Sequence, residues 1–432
     1  MQKTKEMKTK LKRELNLFDT TVAGIGIIIG AGVYAIIGTA AGIVGNAIWL
    51  SFLIGAIVAG ITALSYAELS SMFPKAGAEY VYARRSFGNR IAFLVNWLLV
   101  IGTVFSVATV SLGFANYLNY FISVPYSLAA GGLIILFTAL NLYGIKESVT
   151  IANIGAIIEI LGLVIIIAIG FPYLGSADYF ELPHDAHFST VFLGASLLFF
   201  AFLGFESVPR LAEETKDATR IIPKATILSL VISTVIYILV SLVAVSVLNW
   251  QELAASSAPL ADVAERVMGS EAGIMLALIA LFATANTVLL MLITTTRLLF
   301  GLSEGGALFS RLGSVSKRST PWVAAVVLGA LSFAAVMSGD IGFVAYSADY
   351  ATFFTFAAMN LVLVYLRYSK PKMPRPFKVK DIFGLPILPL FGTATCVLLA
   401  LTSGKDVIII GTVIAAIGLL IYEWLKRTKM VE

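Results

Sequence analysis

With 432 residues, 59% of them hydrophobic and only 13% charged, and a mean hydropathy of +0.93, the chain is too apolar for a soluble protein of its length. Its formal charge of +5 sits largely in short basic stretches beside apolar runs, a pattern of membrane flanks that speaks against nucleic-acid binding. A single cysteine, Cys396, excludes an intrachain disulfide and a cysteine metal cluster, and reads as helix packing.

About 20 residues cross ~30 Å of hydrocarbon. By that measure the sequence predicts an all-α membrane protein with twelve transmembrane helices, at about 17–37, 47–69, 91–113, 128–144, 149–173, 189–212, 224–248, 273–300, 322–338, 342–367, 384–402 and 407–425. The basic segment 1–16, charged from Lys3 to Arg13, and the tail 426–432 flank them. With the N-terminus inside, all Lys and Arg except Arg266 and Lys405 fall on the inner side or at inner helix ends. A multi-pass cell-membrane protein with both termini cytoplasmic is therefore expected. The basic stretch runs into a full-length span without a small-residue cleavage pattern, so the first span is expected to remain.

The first span contains Gly24, Gly26, Gly30, Ala31 and Gly32. Glycine weakens a helix interior, and freed backbone groups at membrane depth must face protein, water or a ligand. The N-terminus of a half-helix starting here would offer N–H groups and positive partial charge to a carboxylate. Tight helix packing through small residues is the other reading.

In the fifth span, Glu159 lies near mid-membrane with Asn153 as its nearby strongly polar neighbour. A carboxyl desolvated there can load and release a proton near neutral pH. A static protonated Glu159, bonded to nearby backbone or to the tenth span, is equally open.

The sixth span carries the second glycine interruption, Phe199 to Ser207, with Gly204 flanked by Phe199, Phe200, Phe202 and Phe205. Aromatic rings beside a break can cover a ligand or pack in a core. Glu206 is ionisable inside a span and reads as functional by default, with a local salt bridge to Arg210 as the alternative. In the eighth span Thr284, Asn286 and Thr287 offer oxygen ligands for sodium, although membrane threonines commonly bond back to the preceding turn.

Weaker signals are few. His184 and His187 share an external loop with Asp178, Glu181 and Asp185 and read as a solvated acidic loop, with no metal site expected. Tyr346, Asp349 and Tyr350 in the tenth span suit either an outer gate or an interface. Glu68, Glu79, Glu213 and Glu214, with Lys75, Arg84, Arg85 and Arg90, suit inner-gate salt bridges or solvated loops.

Spans one to five and six to ten each open on a broken helix. An odd number of spans per copy turns the second upside down, giving a 5+5 inverted repeat with two appended helices. The expected units are a core at 17–367, with copies at about 17–173 and 189–367, and the pair at 384–425.

Several stretches, in order, resemble the amino acid permeases of the amino acid-polyamine-organocation superfamily. They are Gly30-Ala31-Gly32, Tyr66-Ala-Glu68 through Phe73-Pro74 and Gly77-Ala-Glu79-Tyr80-Val-Tyr82, Asn141 through Gly144-Ile-Lys146, and Phe200 through Glu206 with Ala212-Glu213-Glu214. Arg220-Ile-Ile-Pro223-Lys224-Ala225 and Arg297 onward through Ser303-Glu304-Gly305 complete the series. The resemblance implies a LeuT-type fold and carriage of amino acids or related amines. It also implies a substrate carboxylate on the first break, where Ala31 stands in place of the serine of some members, and an aromatic gate at Phe200. A carboxylate at Glu206 is shared with relatives and implies amine recognition or proton linkage, whereas Glu159 inverts the charge of a lysine that some proton-linked relatives carry.

The expected substrate-binding set is Ile28, Gly30, Ala31, Gly32, Phe200, Leu203, Gly204 and Glu206, and the ion or proton set is Glu159, Glu206, Thr284 and Thr287. No cofactor is expected, and the partners are an amino acid, protons or sodium, and lipid. Proton symport is favoured, with amino acid exchange or sodium coupling as alternatives. A membrane enzyme would need a nucleophile or metal set at depth, and no histidine lies in a span. A non-transporting sensor usually carries a substantial cytoplasmic extension, beyond the short flanks seen here.

Overall fold

The computed structural model describes residues 13–74, 78–144, 149–304, 308–316 and 320–428. Lys3, Lys75, Gly77, Lys146 and Gly305 lie outside the described residues, as do the side chains of Asn153, Glu213 and Glu304. The described chain is helical almost throughout. In order the helices are α1 (Leu17–Ile29), α2 (Gly32–Val44), α3 (Ile48–Met72), α4 (Ala78–Phe87), α5 (Asn89–Leu118), α6 (Tyr126–Tyr143), α7 (Val149–Gly170) and α8 (Thr190–Leu198). They continue as α9 (Ala218–Val247), α10 (Trp250–Ala255), α11 (Pro259–Met268), α12 (Ser270–Glu304), α13 (Trp322–Val336), α14 (Ile341–Ser369), α15 (Ile387–Thr402) and α16 (Lys405–Arg427).

Among the described residues nine segments are long and apolar enough to cross a membrane, and α1, α13 and α15 are shorter apolar helices. The first of the nine, Gly32–Met72, contains both α2 and α3, because Gly45 at φ +62° ends α2 and a 3-10 turn, Gly45–Ala47, leads into α3. Large apolar side chains stand exposed on the outside, among them Leu128, Phe171, Ile409, Val413 and Leu420. A surface of that kind suits hydrocarbon, where every backbone group must find its partner within the helix.

α1 begins at a capping box: Asn16 Oδ1 accepts the Asp19 amide at 3.0 Å and Asp19 Oδ2 accepts the Asn16 amide at 3.1 Å. Just before it, Glu14 and Leu15 donate their amides to Glu214 O at 2.9 and 3.1 Å, and the Lys216 amide donates to Leu15 O at 2.9 Å. The start of the first interrupted helix is thus tied to the end of the second. α10 and α11, short helices between α9 and α12, lie against α2, where a methyl group on Gly38 would come within 2.9 Å of Leu253 O.

Candidate substrate and coupling site

Helix α1 stops because Gly30 takes φ +36° and ψ −154°, and α2 restarts at Gly32 with Ala31 as its N-cap. The second interruption has a different form. After α8 the chain tightens into a 3-10 turn, Phe199–Phe202, is extended at Leu203 and reverses at Gly204 (φ +122°) into a second 3-10 segment, Phe205–Glu213. A side chain at φ +122° is strained, so glycine is the residue the turn requires.

The two interruptions touch. A methyl group on Gly204 would stand 2.6 Å from the Ile27 carbonyl oxygen, and one on Gly32 would stand 3.0 Å from Ala201 Cα. The Tyr237 hydroxyl of α9 lies between them, 2.9 Å from Ile28 O, 3.2 Å from Ile29 O and 2.7 Å from Ala201 O. One hydroxyl therefore stands within donating reach of carbonyls on both sides of the junction, with Ala201 O the nearest acceptor. Interrupted helices at membrane depth need such a donor, since each freed carbonyl is costly without one.

The flanking phenylalanines divide. Phe199 packs on Phe353 of α14 with centroids 4.6 Å apart, Phe202 on Tyr237 at 5.3 Å, and Phe205 on Phe356 at 5.0 Å. These three build an aromatic core that fixes the second interruption against α9 and α14. Phe200 is buried, with its backbone amide on the side of Asp349, and Leu203 is half-buried at the break itself.

Glu206 turns back on its own break: Oε2 accepts the Gly204 amide at 2.8 Å. The local pair with Arg210, the alternative reading of Glu206, is not formed, because Arg210 donates to Glu79 at 3.3 Å. Both acids lie near this arginine, but its hydrogen bond goes to Glu79.

Glu159 is buried in α7 and its side-chain partner lies on α12 rather than in the tenth span, while the Asn153 side chain lies outside the described residues. Asn286 of α12 donates to Glu159 Oε1 at 3.4 Å, while the Tyr34 hydroxyl of α2 donates to the Glu159 backbone carbonyl at 2.8 Å. Tyr34 also lines a polar cavity of about 180 Å³ with Asn116, Tyr126, Ser256 and Ser257. The side chain connects that cavity to the carboxyl-bearing turn of α7. Thr287 lies next to the first interruption, its hydroxyl 3.8 Å from a methyl group built on Gly30. The Thr284 hydroxyl is spent on Ala280 O, 2.7 Å away in the preceding turn.

The model of the family described as amino acid permease matches residues 15–420. The chain belongs to the amino acid permease family. This permease is 32% identical to a branched-chain amino acid permease of Bacillus subtilis, over 96% of the chain and 94% of the relative. It is 28% identical to a methylthioribose transporter of the same organism, over 89% and 87%, and 27% identical to human cationic amino acid transporter 4, over 85% and 62%. Its relatives are transporters and not enzymes, and with its apolar helices the permease is an integral membrane protein.

Glu68, which the sequence offers for an inner salt bridge or a solvated loop, takes partners in this permease that the sequence does not indicate. Glu68 of α3, fully buried, is held by Arg367 of α14, by Arg375 at 3.3 Å and by the Val379 amide at 2.8 Å. Arg367 also pairs with Asp381, so the segment after α14 is strapped across the ends of α3 and α14. Tyr237 was missed. Its signal is a stripe of buried Ser229, Ser233, Tyr237 and Ser241, four residues apart on one face of α9. Ser229 on this stripe donates to Thr21 O of α1 at 3.0 Å.

Proposed function

We propose that this permease is a secondary active transporter that carries an amino acid across the cell membrane by alternating access, driven by protons. The observation that carries the reading is the meeting of the two interrupted helices at one buried junction under Tyr237. Paired interruptions of this kind, one per repeat, mark a midplane transport site. In this reading α1 with α2 forms one span, α8 with its 3-10 segments forms the sixth, and twelve spans make a 5+5 inverted repeat with α15 and α16 appended. Both termini face the cytoplasm.

The substrate carboxylate is received at the N-terminus of α2, by the Ala31 and Gly32 backbone, and the side chain lies among Ile28, Phe200 and Leu203. These groups are apolar, and the Glu206 carboxylate is already engaged with Gly204. That favours an uncharged aliphatic amino acid, in keeping with the branched-chain permease among the relatives. Glu159, between the Tyr34 cavity and Asn286, is the proton-coupling carboxyl.

The test is leucine uptake into proteoliposomes. An acid-outside gradient should drive accumulation in vesicles empty of amino acid. Uptake only into vesicles preloaded with amino acid would replace symport by exchange, a requirement for sodium would replace protons, and binding without flux would remove transport altogether.

A further inference from the structure

Between Ile341 and Ser369 the charged residues are Asp349 and Arg367, some 18 positions and therefore about 27 Å apart along the helix. The other buried acids of the bundle are satisfied: Glu68 by two arginines, Glu79 by Arg210, Glu159 by Asn286. Asp349 is fully buried and neither carboxyl oxygen has a hydrogen-bond partner. The Phe200 amide of the second interruption faces the carboxyl without completing a hydrogen bond.

The elements around it supply no countercharge among the described residues. α5 approaches this part of α14 with Gly102, against Ala348, Ala351 and Thr352, and the α8 side brings Phe199 and Phe200. The titratable neighbour is Tyr346, whose hydroxyl donates to Leu193 O at 3.2 Å, while Tyr350 turns to Thr412 of α16 at 3.0 Å. α3 and α15 pack deeper, where Asn360 meets Thr62 and Gly392. An anion in these surroundings would be isolated from any compensating charge, whereas a neutral carboxyl is tolerated.

We propose that Asp349 is a proton-binding site of the transport cycle, holding a proton while packed against the Phe199–Phe202 turn and releasing it to water when that turn moves away. This rests on the transporter reading above. Within the proposed repeat, α7 and α14 occupy equivalent rank, so Glu159 beside the first interruption and Asp349 beside the second form a pair of carboxyls, one per copy. The proton is taken from water and returned to it, and no bond of the substrate changes. Because the neutral form favours the packed turn, acid stabilises this conformation and alkali favours its opening.

The deciding measurement is infrared spectroscopy of the protein in lipid at neutral pH, in H2O and D2O. Wild type should show a protonated-carboxyl C=O band that shifts in D2O, is lost in Asp349→Asn and persists in Glu159→Gln. An Asp349→Asn spectrum identical to wild type overturns the proposal. Should that variant fail to fold, Asp349→Glu must move the band, and an unmoved band has the same force. Leucine counterflow then separates the two readings. No counterflow in wild type sinks the transporter assignment, whereas normal wild-type counterflow with the same pH profile in Asp349→Asn removes Asp349 alone from the cycle. The expected result is a flattened pH profile in Asp349→Asn and a retained one in Asp349→Glu.

Discussion

The hydroxyl of Tyr237 lies 2.7 Å from the carbonyl oxygen of Ala201, on one interrupted helix, and 2.9 Å from that of Ile28, on the other. Tyr237→Phe keeps the ring, which also packs on Phe52 and Phe202, and removes the donor. The variant should lose about 1–3 kcal/mol of stability for the carbonyls left without it, and leucine counterflow should fall at least tenfold because the junction no longer holds one geometry. Thermal unfolding and counterflow in the same preparation check both, and an unaltered variant would show that the rings alone hold the junction.

Gly204 meets the Ile27 carbonyl with no room for a side chain, at a backbone angle that glycine favours. Gly204→Ala should abolish counterflow and lower the unfolding temperature. Gly132→Ala, where a methyl group meets nothing within 4 Å, should leave both near wild type. Equal losses in the two variants would point to general helix damage.

Arg367→Ala removes one of the two arginines that hold the buried Glu68 and leaves it Arg375 and the Val379 amide. The variant should be destabilised, by less than the ~3–5 kcal/mol of a buried charge left wholly unpaired. The Glu68→Gln/Arg367→Ala double variant should be less destabilised than the sum of the single ones, since the two losses share one interaction. A thermal double-mutant cycle measures the difference, and strict additivity would deny the coupling.

Asp381 lies beyond α14 on the strap. The Lys378 hydrogen bond, at 2.7 Å, together with the Arg367 guanidinium, holds its carboxyl below the usual carboxylate range, against a smaller opposing effect of burial. A lowered carboxyl contributes stability that is complete above its unfolded value and is lost as pH falls through the folded one. Wild type should therefore lose more thermal stability on acidification across that window than Asp381→Asn, and parallel curves from scanning fluorimetry would contradict this.

Glu159→Gln keeps the size and the Asn286 neighbour but cannot release a proton. Uptake driven by an acid-outside gradient should be abolished in this variant while leucine exchange persists. Unchanged pH dependence would take Glu159 out of the coupling.

Much of the arrangement was legible because glycine at membrane depth has few uses. Gly30 and Gly204 marked both interruptions in the sequence, with close helix packing as the other reading of the first, and their contact appears only in the fold. What the sequence hid was long-range pairing. Arg210 stands one turn from Glu206, so local spacing offered that ion pair as an alternative, yet Glu79, far away in the chain, takes the hydrogen bond. Asn286 read as an oxygen ligand beside two threonines, and only packing of α7 on α12 turns its amide toward Glu159. Asp349 read as a gate or interface acid because burial without a partner is a property of the surroundings and leaves no mark in the sequence.

The backbone bonds joining Leu15 to Glu214 and Lys216 lie far along the chain from Gly30 and Gly204. Together with the Tyr237 clasp they fasten the two interrupted helices at two separate levels, and two fastenings resist hinging where one would permit it. A cysteine crosslink between positions 15 and 215 should therefore be silent in flux measurements, if the two interrupted helices move as one body in the proposed cycle.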